Sequence, residues 1–199
     1  SNVDAHMTSP GEVPYPQLST NDVVVGLDLP RVDVLTENGT TISSSRWVGS
    51  PLVINFWYST CEPCRREMPL LAQTAQRFGP DVRFIGVNLN DSPTVARSFA
   101  DRYGVTYDLV FDRDGNLARQ LGVATAPMTL FVSADGVILD AKDFLVSEDA
   151  LTGESFPVEK QPGVAAADAP LAARGNCVFQ STSVRSGTAS VLVVKTGPD

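Results

Sequence analysis

Apolar residues recur in the middle of the chain in two patterns, as short compact runs and as longer stretches at helical spacing. The compact runs, rich in β-branched and aromatic residues, predict strands; they lie at residues 32–35, 41–42, 51–57, 82–88, 107–111, 128–132 and 137–139. Apolar positions three or four residues apart predict helices at residues 62–78, 95–103 and 117–121. Because strands alternate with helices and a hairpin follows, the pattern predicts an α/β fold whose sheet has mixed strand directions.

Turn-forming residues mark the boundaries of these elements. Asn38-Gly39 favours a hairpin between the first two strands, and Ala134-Asp135-Gly136 favours one between the last two. Gly79-Pro80 ends the first helix, and Pro69 predicts a kink inside it. The run at 51–57 suits a strand that is buried on both faces.

Both ends of the chain differ from this middle part. Residues 1–22 are rich in Pro, Ser and Thr and have no periodicity, so we expect a flexible leader, with residues 1–7 typical of a cloning scar. An α/β domain is predicted over residues 23–145, and a β-rich segment over residues 146–199. In that segment, short strand-like pieces are predicted at residues 176–179, 182–184 and 190–195.

Composition and charge narrow the classes of partner. The chain has 199 residues, of which 43% are apolar, and this suffices for one domain with a core plus a smaller unit. Its net charge of −8 disfavours binding to nucleic acid or to an anionic membrane surface. No apolar run approaches the ~20 residues that a membrane helix needs, and no signal peptide is recognisable. The oligomeric state stays open.

Cys61 and Cys64 lie where a predicted strand gives way to a predicted helix. The amides and dipole of a helix N-terminus favour a thiolate on the first cysteine, and a thiol one turn later can attack a mixed disulfide. We therefore expect Cys61 to be the nucleophile and Cys64 the resolving thiol, tuned by Glu62 and Pro63 between them. The third cysteine, Cys177, receives no role.

Other uses of the pair stay open at this point. One is a structural disulfide, and another is half of a zinc site. Zinc needs two more ligands, and only Cys177 and His6 remain as Cys or His, so we expect no metal site and no cofactor beyond the disulfide itself. Peroxide reduction is a third use, but peroxiredoxins carry a Pro and a Thr or Ser at fixed positions before the thiol, where this chain has Ile54 and Tyr58.

The run from Phe56 to Pro69, FWYSTCEPCRREMP, resembles the active-site segment of the thioredoxin superfamily, especially its extracytoplasmic TlpA/ResA-like branch. The resemblance covers about residues 23–142. It implies a thioredoxin-like mixed sheet flanked by helices and a thiol-disulfide oxidoreductase that acts on protein thiols and disulfides. It also implies an extracytoplasmic or membrane-tethered location.

Further site residues follow from the same resemblance. Thr125-Ala126-Pro127-Met128-Thr129 resembles the cis-proline loop of the family, which implies that Ala126 and Pro127 bind substrate beside the cysteine pair, together with Trp57. Asn55 stands where thioredoxin carries a buried acid that helps to move the proton of the second thiol. Glu67 is a candidate to replace that acid.

Two departures from the family pattern stand out. Thr60 replaces the usual Trp before the first cysteine and removes an aromatic wall near the substrate. No closing helix is evident after the strand at 137–139, so a β-rich segment is expected in its place.

Residues 133–160, with 176–197, resemble the actuator domain of P-type ATPases. Thr152-Gly153-Glu154-Ser155 matches the loop in which the family's Glu positions water at a phosphorylated aspartate. The chain carries no phosphorylation motif, so we expect this loop to be inactive. The two resemblances overlap at residues 133–143, which indicates a chimera. The alternative to the oxidoreductase is therefore a chimeric or structural protein with a passenger redox site.

Overall fold

A computed structural model of the protein describes residues 21–142, 145–153, 158–160 and 163–186. Its strands are β1 (Asp33–Thr36), β2 (Thr41–Ser43), β3 (Leu52–Trp57), β4 (Arg83–Asn88), β5 (Asp108–Phe111), β6 (Met128–Val132), β7 (Ile138–Lys142), β8 (Leu145–Ser147), β9 (Val158–Glu159) and β10 (Ser183–Ser186). Its helices are α1 (Glu62–Phe78), α2 (Pro93–Arg102), α3 (Asn116–Gln120) and α4 (Asp149–Thr152), with 3₁₀ turns at Ser44–Trp47 and Leu171–Ala173.

Seven strands form the central sheet, in the order β2-β1-β5-β4-β3-β6-β7. Strands β3, β4 and β5 are parallel, whereas β6 and β7 run antiparallel to their neighbours, as do β1 and β2. The expected mixed sheet is confirmed. Strand β3 lies between β4 and β6 and all six of its residues are buried, as its continuous apolar run predicts.

Alternation along β3 divides the core between the two faces of the sheet. Ile54 and Phe56 pack with the buried residues beside α3, whereas Trp57 packs with α1 and α2. Successive side chains of a strand point to opposite faces. Asn55, between Ile54 and Phe56, therefore faces α1, and its hydrogen bond to Glu67 of that helix confirms the placement.

Helix α1 has the bounds that its sequence predicts. Cys61 caps its N-terminus, and Pro63 lies in the first turn, where a missing N–H costs nothing. Buried residues at helical spacing face the sheet: Cys64, Met68, Ala72 and Ala75. The N–H of Gly79 donates to Ala75 O and closes the last turn. Pro69 lies inside the helix, and the kink expected there stays a prediction.

Residues that the sequence assigns to the leader contact the domain. The Oδ1 of Asn21 accepts hydrogen bonds from the N–H groups of Ala124 (2.7 Å) and Thr125 (2.8 Å), and Asp22 N–H donates to Gly122 O. The ordered contacts of the domain thus reach back to Asn21. The predicted domain boundaries otherwise stay predictions.

The C-terminal segment is β-rich, as expected in place of a closing helix. Strands β10, β8 and β9 form a second sheet in that order, with both pairings antiparallel. The strand predicted at 182–184 is present as β10, whereas the one predicted at 190–195 lies outside the described residues. The strand predicted at 176–179 is wrong: Cys177 N–H closes a turn onto Arg174 O, and Phe179 lies against the Lys160 ammonium instead of pairing in a ladder.

A buried ion pair stabilises this second sheet. The Nζ of Lys160, just after β9, lies 2.6 Å from Glu148 Oε1 at the start of α4, and the two side chains are only 3% and 1% exposed. Lys160 also donates to Arg174 O at 3.2 Å. Among the residues that the structure describes, no helix combines the length and apolar character that a membrane crossing requires.

Candidate active site

The cysteine pair lies where the buried central strand meets the first helix. Chain direction reverses through Tyr58-Ser59-Thr60, and Cys61 then caps α1. Cys61 and Cys64 form a disulfide. The Sγ of Cys61 accepts a hydrogen bond from the N–H of Cys64 at 3.2 Å. The first cysteine therefore occupies the N-terminal position that the sequence predicts, in the field of unpaired helix amides.

Exposure distinguishes the two sulfurs. Cys61 is 4% exposed and Cys64 is fully buried. Cys61 thus keeps a small exposed area at the helix cap, while Cys64 is enclosed in a cluster with Met68 of the same helix and Phe99 of α2. This arrangement suits Cys61 for attack on a substrate and Cys64 for internal resolution.

The loop before β6 lies beside the pair. The Ala126–Pro127 peptide bond is cis, as the resemblance implies. The carbonyl oxygen of Ala126 lies 3.6 Å from Cys61 Sγ, so the structure brings this predicted residue to the redox site. Asn21 anchors the two preceding amides of the same loop. Asn21 escaped the sequence analysis because its partners lie more than a hundred residues away.

Trp57 lies at the end of β3, in the buried cluster beneath the start of α1. Its side chain is fully buried and stacks on Phe99, with ring centroids 5.2 Å apart. A Cβ on Gly86 of β4 would meet Trp57 Nε1 at 2.9 Å, so glycine at that position leaves room for the indole. The substrate-binding role expected for Trp57 stays a prediction.

An aspartate that the sequence analysis missed holds the turn before Cys61. Both carboxylate oxygens of Asp91 accept from Ser59, one from its N–H at 2.7 Å and one from its hydroxyl at 2.6 Å. Asn88, at the end of β4, donates to the same carboxylate at 2.7 Å. Because β3 and β4 are parallel neighbours, their C-terminal ends meet, and Asp91 ties the two following loops together.

A small cluster of polar side chains lies between α1 and the sheet. The amide Nδ2 of Asn55 donates to Glu67 Oε1 at 2.7 Å and to Thr129 Oγ1 of β6 at 3.0 Å. Burial raises the pKa of Glu67 to about 7, against the opposing effects of the Asn55 hydrogen bond and the Lys142 ammonium. Burial, and then the charge of Glu67, raise the pKa of Tyr107 as well. A carboxyl that titrates near neutrality can exchange protons with a thiol.

Other predicted residues lie at the surface of α1 or outside this region. Glu62 forms ion pairs with Arg65 and Arg66 at 3.6 and 3.7 Å. The tuning roles of Glu62 and Pro63 stay predictions. In the ATPase-like motif, Thr152 ends α4 and Gly153 follows with a φ of 73°, while Glu154 and Ser155 lie outside the described residues.

Comparison with known protein families gives two matches, which overlap at residues 130–141. Residues 25–141 match the AhpC/TSA family, and residues 130–199 match the P-type ATPase actuator domain. Thiol-disulfide oxidoreductase ResA of Bacillus subtilis (strain 168) is 30% identical over 57% of this chain and 64% of its own length. Thiol:disulfide interchange protein DsbE of Pseudomonas fluorescens biotype C is 34% identical over 59% and 65%. The chain thus spans less than two thirds of these relatives.

Solved structures agree with the fold. A secreted disulfide oxidoreductase of Mycobacterium tuberculosis, homologous to E. coli DsbE, matches with a TM-score of 0.50 and 28% identity, over 54% of this chain and 79% of that one. DsbF of the same organism matches with a TM-score of 0.52 and 29% identity, over 61% and 90%. With the match over residues 25–141, the thioredoxin-like sheet and the disulfide at the start of α1, the chain belongs to the AhpC/TSA family.

Proposed function

We propose that this protein is a thiol-disulfide oxidoreductase that exchanges electrons with protein substrates through Cys61 and Cys64. The observation that carries the proposal is the disulfide at the cap of α1, in which Cys61 keeps 4% exposure and Cys64 is fully buried. The similarity to ResA and DsbE, whose names state this chemistry, supports it.

The geometry supports a two-step exchange. In the reducing direction, the Cys61 thiolate attacks one sulfur of a substrate disulfide, and the other substrate sulfur leaves as a thiolate. The Cys64 thiol then loses its proton and attacks Cys61 Sγ in the mixed disulfide. The Cys61–Cys64 bond re-forms, the second substrate sulfur leaves, and two electrons have passed to the substrate. The same steps in reverse oxidise a substrate dithiol.

Glu67 is the group that we assign to the proton of Cys64. It lies one turn after Cys64 on α1 and is held by Asn55 of the strand beneath. Because its pKa is about 7, the carboxylate takes up a proton from a thiol near neutral pH without holding it permanently. Thioredoxin carries its buried acid at the strand position that Asn55 occupies here. In this chain, Asn55 instead holds the acid, Glu67, by a hydrogen bond.

The substrate side of the site is the loop at Ala126–Pro127. Its Ala126 carbonyl lies 3.6 Å from Cys61 Sγ, so a peptide that presents a sulfur to Cys61 passes within reach of this backbone acceptor. An extended substrate segment can pair with it as an added strand does. Protein disulfides persist in oxidising compartments, and we propose an extracytoplasmic location on this chemistry and on the secreted relative from M. tuberculosis.

The decisive measurement is the redox potential of the pair in glutathione buffers, on the full chain and on Cys177→Ser as a control. We expect a reversible two-electron transition that Cys61→Ser and Cys64→Ser abolish and Cys177→Ser leaves unchanged. A potential well below that of glutathione identifies a reductant, and one well above it an oxidant. Absence of the transition, or turnover of hydrogen peroxide at Cys61 in its place, would overturn the proposal in favour of a passenger site or a peroxidase.

A further inference from the structure

Three residues on neighbouring strands bring polar side chains to the face of the sheet that α1 covers. Asn55 of β3 is the direct partner of Thr129 of β6, and Thr129 is the direct partner of Lys142 of β7. Side chains of directly opposed residues in antiparallel strands lie on the same face. Because Asn55 donates to Glu67 of α1, Thr129 and Lys142 share the α1 face with it.

The ATPase-like segment supplies the next charge. The Oε1 of Glu159, at the end of β9, lies 3.1 Å from the Nζ of Lys142, and their side chains are 21% and 38% exposed. We call Asn55, Thr129, Lys142 and Glu159 the polar row. It runs from beneath the redox helix to a strand that lies outside the thioredoxin-like sheet.

We propose that Lys142 and Glu159 are positioning residues of the redox site, which act through the Glu67 carboxyl that Asn55 of the polar row holds. The C-terminal segment is then part of the redox site, since it supplies the Glu159 carboxylate that pairs with Lys142. This inference rests on the proposed function in assigning Glu67 to the Cys64 proton.

The charges around Glu67 support the proposal. From the sheet side, the Lys142 ammonium favours the Glu67 carboxylate, and from the C-terminal segment the Glu159 carboxylate opposes it. From the segment just before β5, the Tyr107 phenol lies near the same carboxyl, and its own ionisation is hindered by burial and by the charge of Glu67. Lys142 and Glu159 therefore act on Glu67 in opposite directions.

Removing either charge should shift the pKa of Glu67, and the two shifts should have opposite signs. A role in packing alone does not predict opposite shifts. Lys142→Met removes a cation that favours the Glu67 carboxylate and so raises the pKa of Glu67, whereas Glu159→Gln removes an anion that opposes it and so lowers that pKa. Each change is expected to move the midpoint by roughly one pH unit or less. In the double variant Lys142→Met with Glu159→Gln, the midpoint of Glu67 should return toward the wild-type value. Lys142→Arg keeps the positive charge and should keep the wild-type midpoint.

The test is a pH titration of the full-length protein in its disulfide form, followed by ¹³C NMR of the glutamate carboxyl carbons. Glu67→Gln assigns the signal, whose wild-type midpoint is expected at about 7. Asp108→Asn is the matched control, because it breaks an ion pair with Arg83 at 3.2 Å on the far side of β4 from the polar row. Equal midpoints in all variants, or shifts of Lys142→Met and Glu159→Gln in the same direction, would overturn the proposal.

A kinetic measurement gives the test its functional arm. In a mixed disulfide between Cys61 and a substrate thiol, Cys64 is a free thiol. We expect the decay of this mixed disulfide to slow at pH values below the pKa of Glu67. The acid limb of the pH–rate profile should therefore move to higher pH in Lys142→Met and to lower pH in Glu159→Gln. The NMR titration does not depend on this chemistry, since the thiols do not titrate in the disulfide form. Correct NMR shifts with no mixed-disulfide decay at any pH would refute the proposed function and leave the electrostatic coupling standing. Decay with unshifted limbs would refute the coupling alone.

Discussion

Burial of the Glu67 carboxyl between α1 and the sheet raises its pKa from the usual 4.5 to about 7. The folded protein therefore binds this proton more tightly than the unfolded chain does, and Glu67 contributes stability at low pH that is lost as the pH rises from about 4.5 to 7. The loss is at most about 3–4 kcal/mol, since one pKa unit corresponds to about 1.4 kcal/mol.

The disulfide form of Glu67→Gln is expected to lack this pH dependence. Urea unfolding at pH 5 and pH 8 measures it: the wild type loses stability between the two values, and the variant loses less. Gln also keeps an acceptor for the Asn55 amide, so packing under α1 is preserved. An unchanged difference between the two pH values in the variant would show that Glu67 titrates normally.

Asp91 carries the second prediction at the level of single residues. Its carboxylate accepts two hydrogen bonds from Ser59 and one from Asn88, so Asp91→Ala leaves these donors without their acceptor. We expect a loss of about 1–3 kcal/mol in unfolding free energy and slower disulfide exchange, because the turn before Cys61 loosens. Urea unfolding and the rate of exchange with a test disulfide measure the two effects. Asp101→Ala, an exposed acid on α2, is the control that should change neither.

At the level of elements, local signals predict the redox helix and fail for contacts between distant segments. The bounds of α1 follow from a capping Cys61, Pro63 in the first turn and Gly79 at the end, all within the helix itself. Asn21 and Asp91 have no such local signal, because their partners are set by which loops the sheet topology brings together. The run at 176–179 has strand-like residues, but Phe179 packs against Lys160, and within the described part of the chain no strand pairs with this run.

The loop before β6 depends on the chain that precedes β1. Asn21→Ala removes one oxygen that accepts from two backbone N–H groups, those of Ala124 and Thr125. We expect the free energy of unfolding to fall by about 1–3 kcal/mol and hydrogen exchange at these two amides to become faster. Asn21→Asp keeps the acceptor and should keep their protection. Equal protection in Asn21→Ala and the wild type would show that the loop is held by other contacts.

Across the whole molecule, two consecutive residues form ion pairs with different parts of the chain, and the first of them joins the two sheets. Glu159 pairs with Lys142 of the thioredoxin-like sheet, while Lys160 pairs with Glu148 inside the C-terminal segment. Neighbouring side chains of an extended chain point in opposite directions, so Glu159 at the end of β9 and Lys160 just after it can reach different partners. The composite arrangement was visible in the sequence as two overlapping resemblances, but the pairing of these charges was not, because it depends on how β9 lies against β8.

The buried pair of Glu148 and Lys160 gives a last prediction at this scale. Lys160→Met leaves the Glu148 carboxylate enclosed without its cation. We expect the free energy of unfolding to fall by about 3–5 kcal/mol and hydrogen-exchange protection to be lost first in β8 and β9. Glu148→Leu combined with Lys160→Met removes both charges and should restore much of the stability. Asp108→Ala, which breaks the ion pair of a 67% exposed side chain, should cost at most about 1 kcal/mol. If Lys160→Met cost no more than Asp108→Ala, the second sheet would owe its order to other contacts. Equal loss of protection in β3 and β8 would instead show that the two sheets unfold as one cooperative unit.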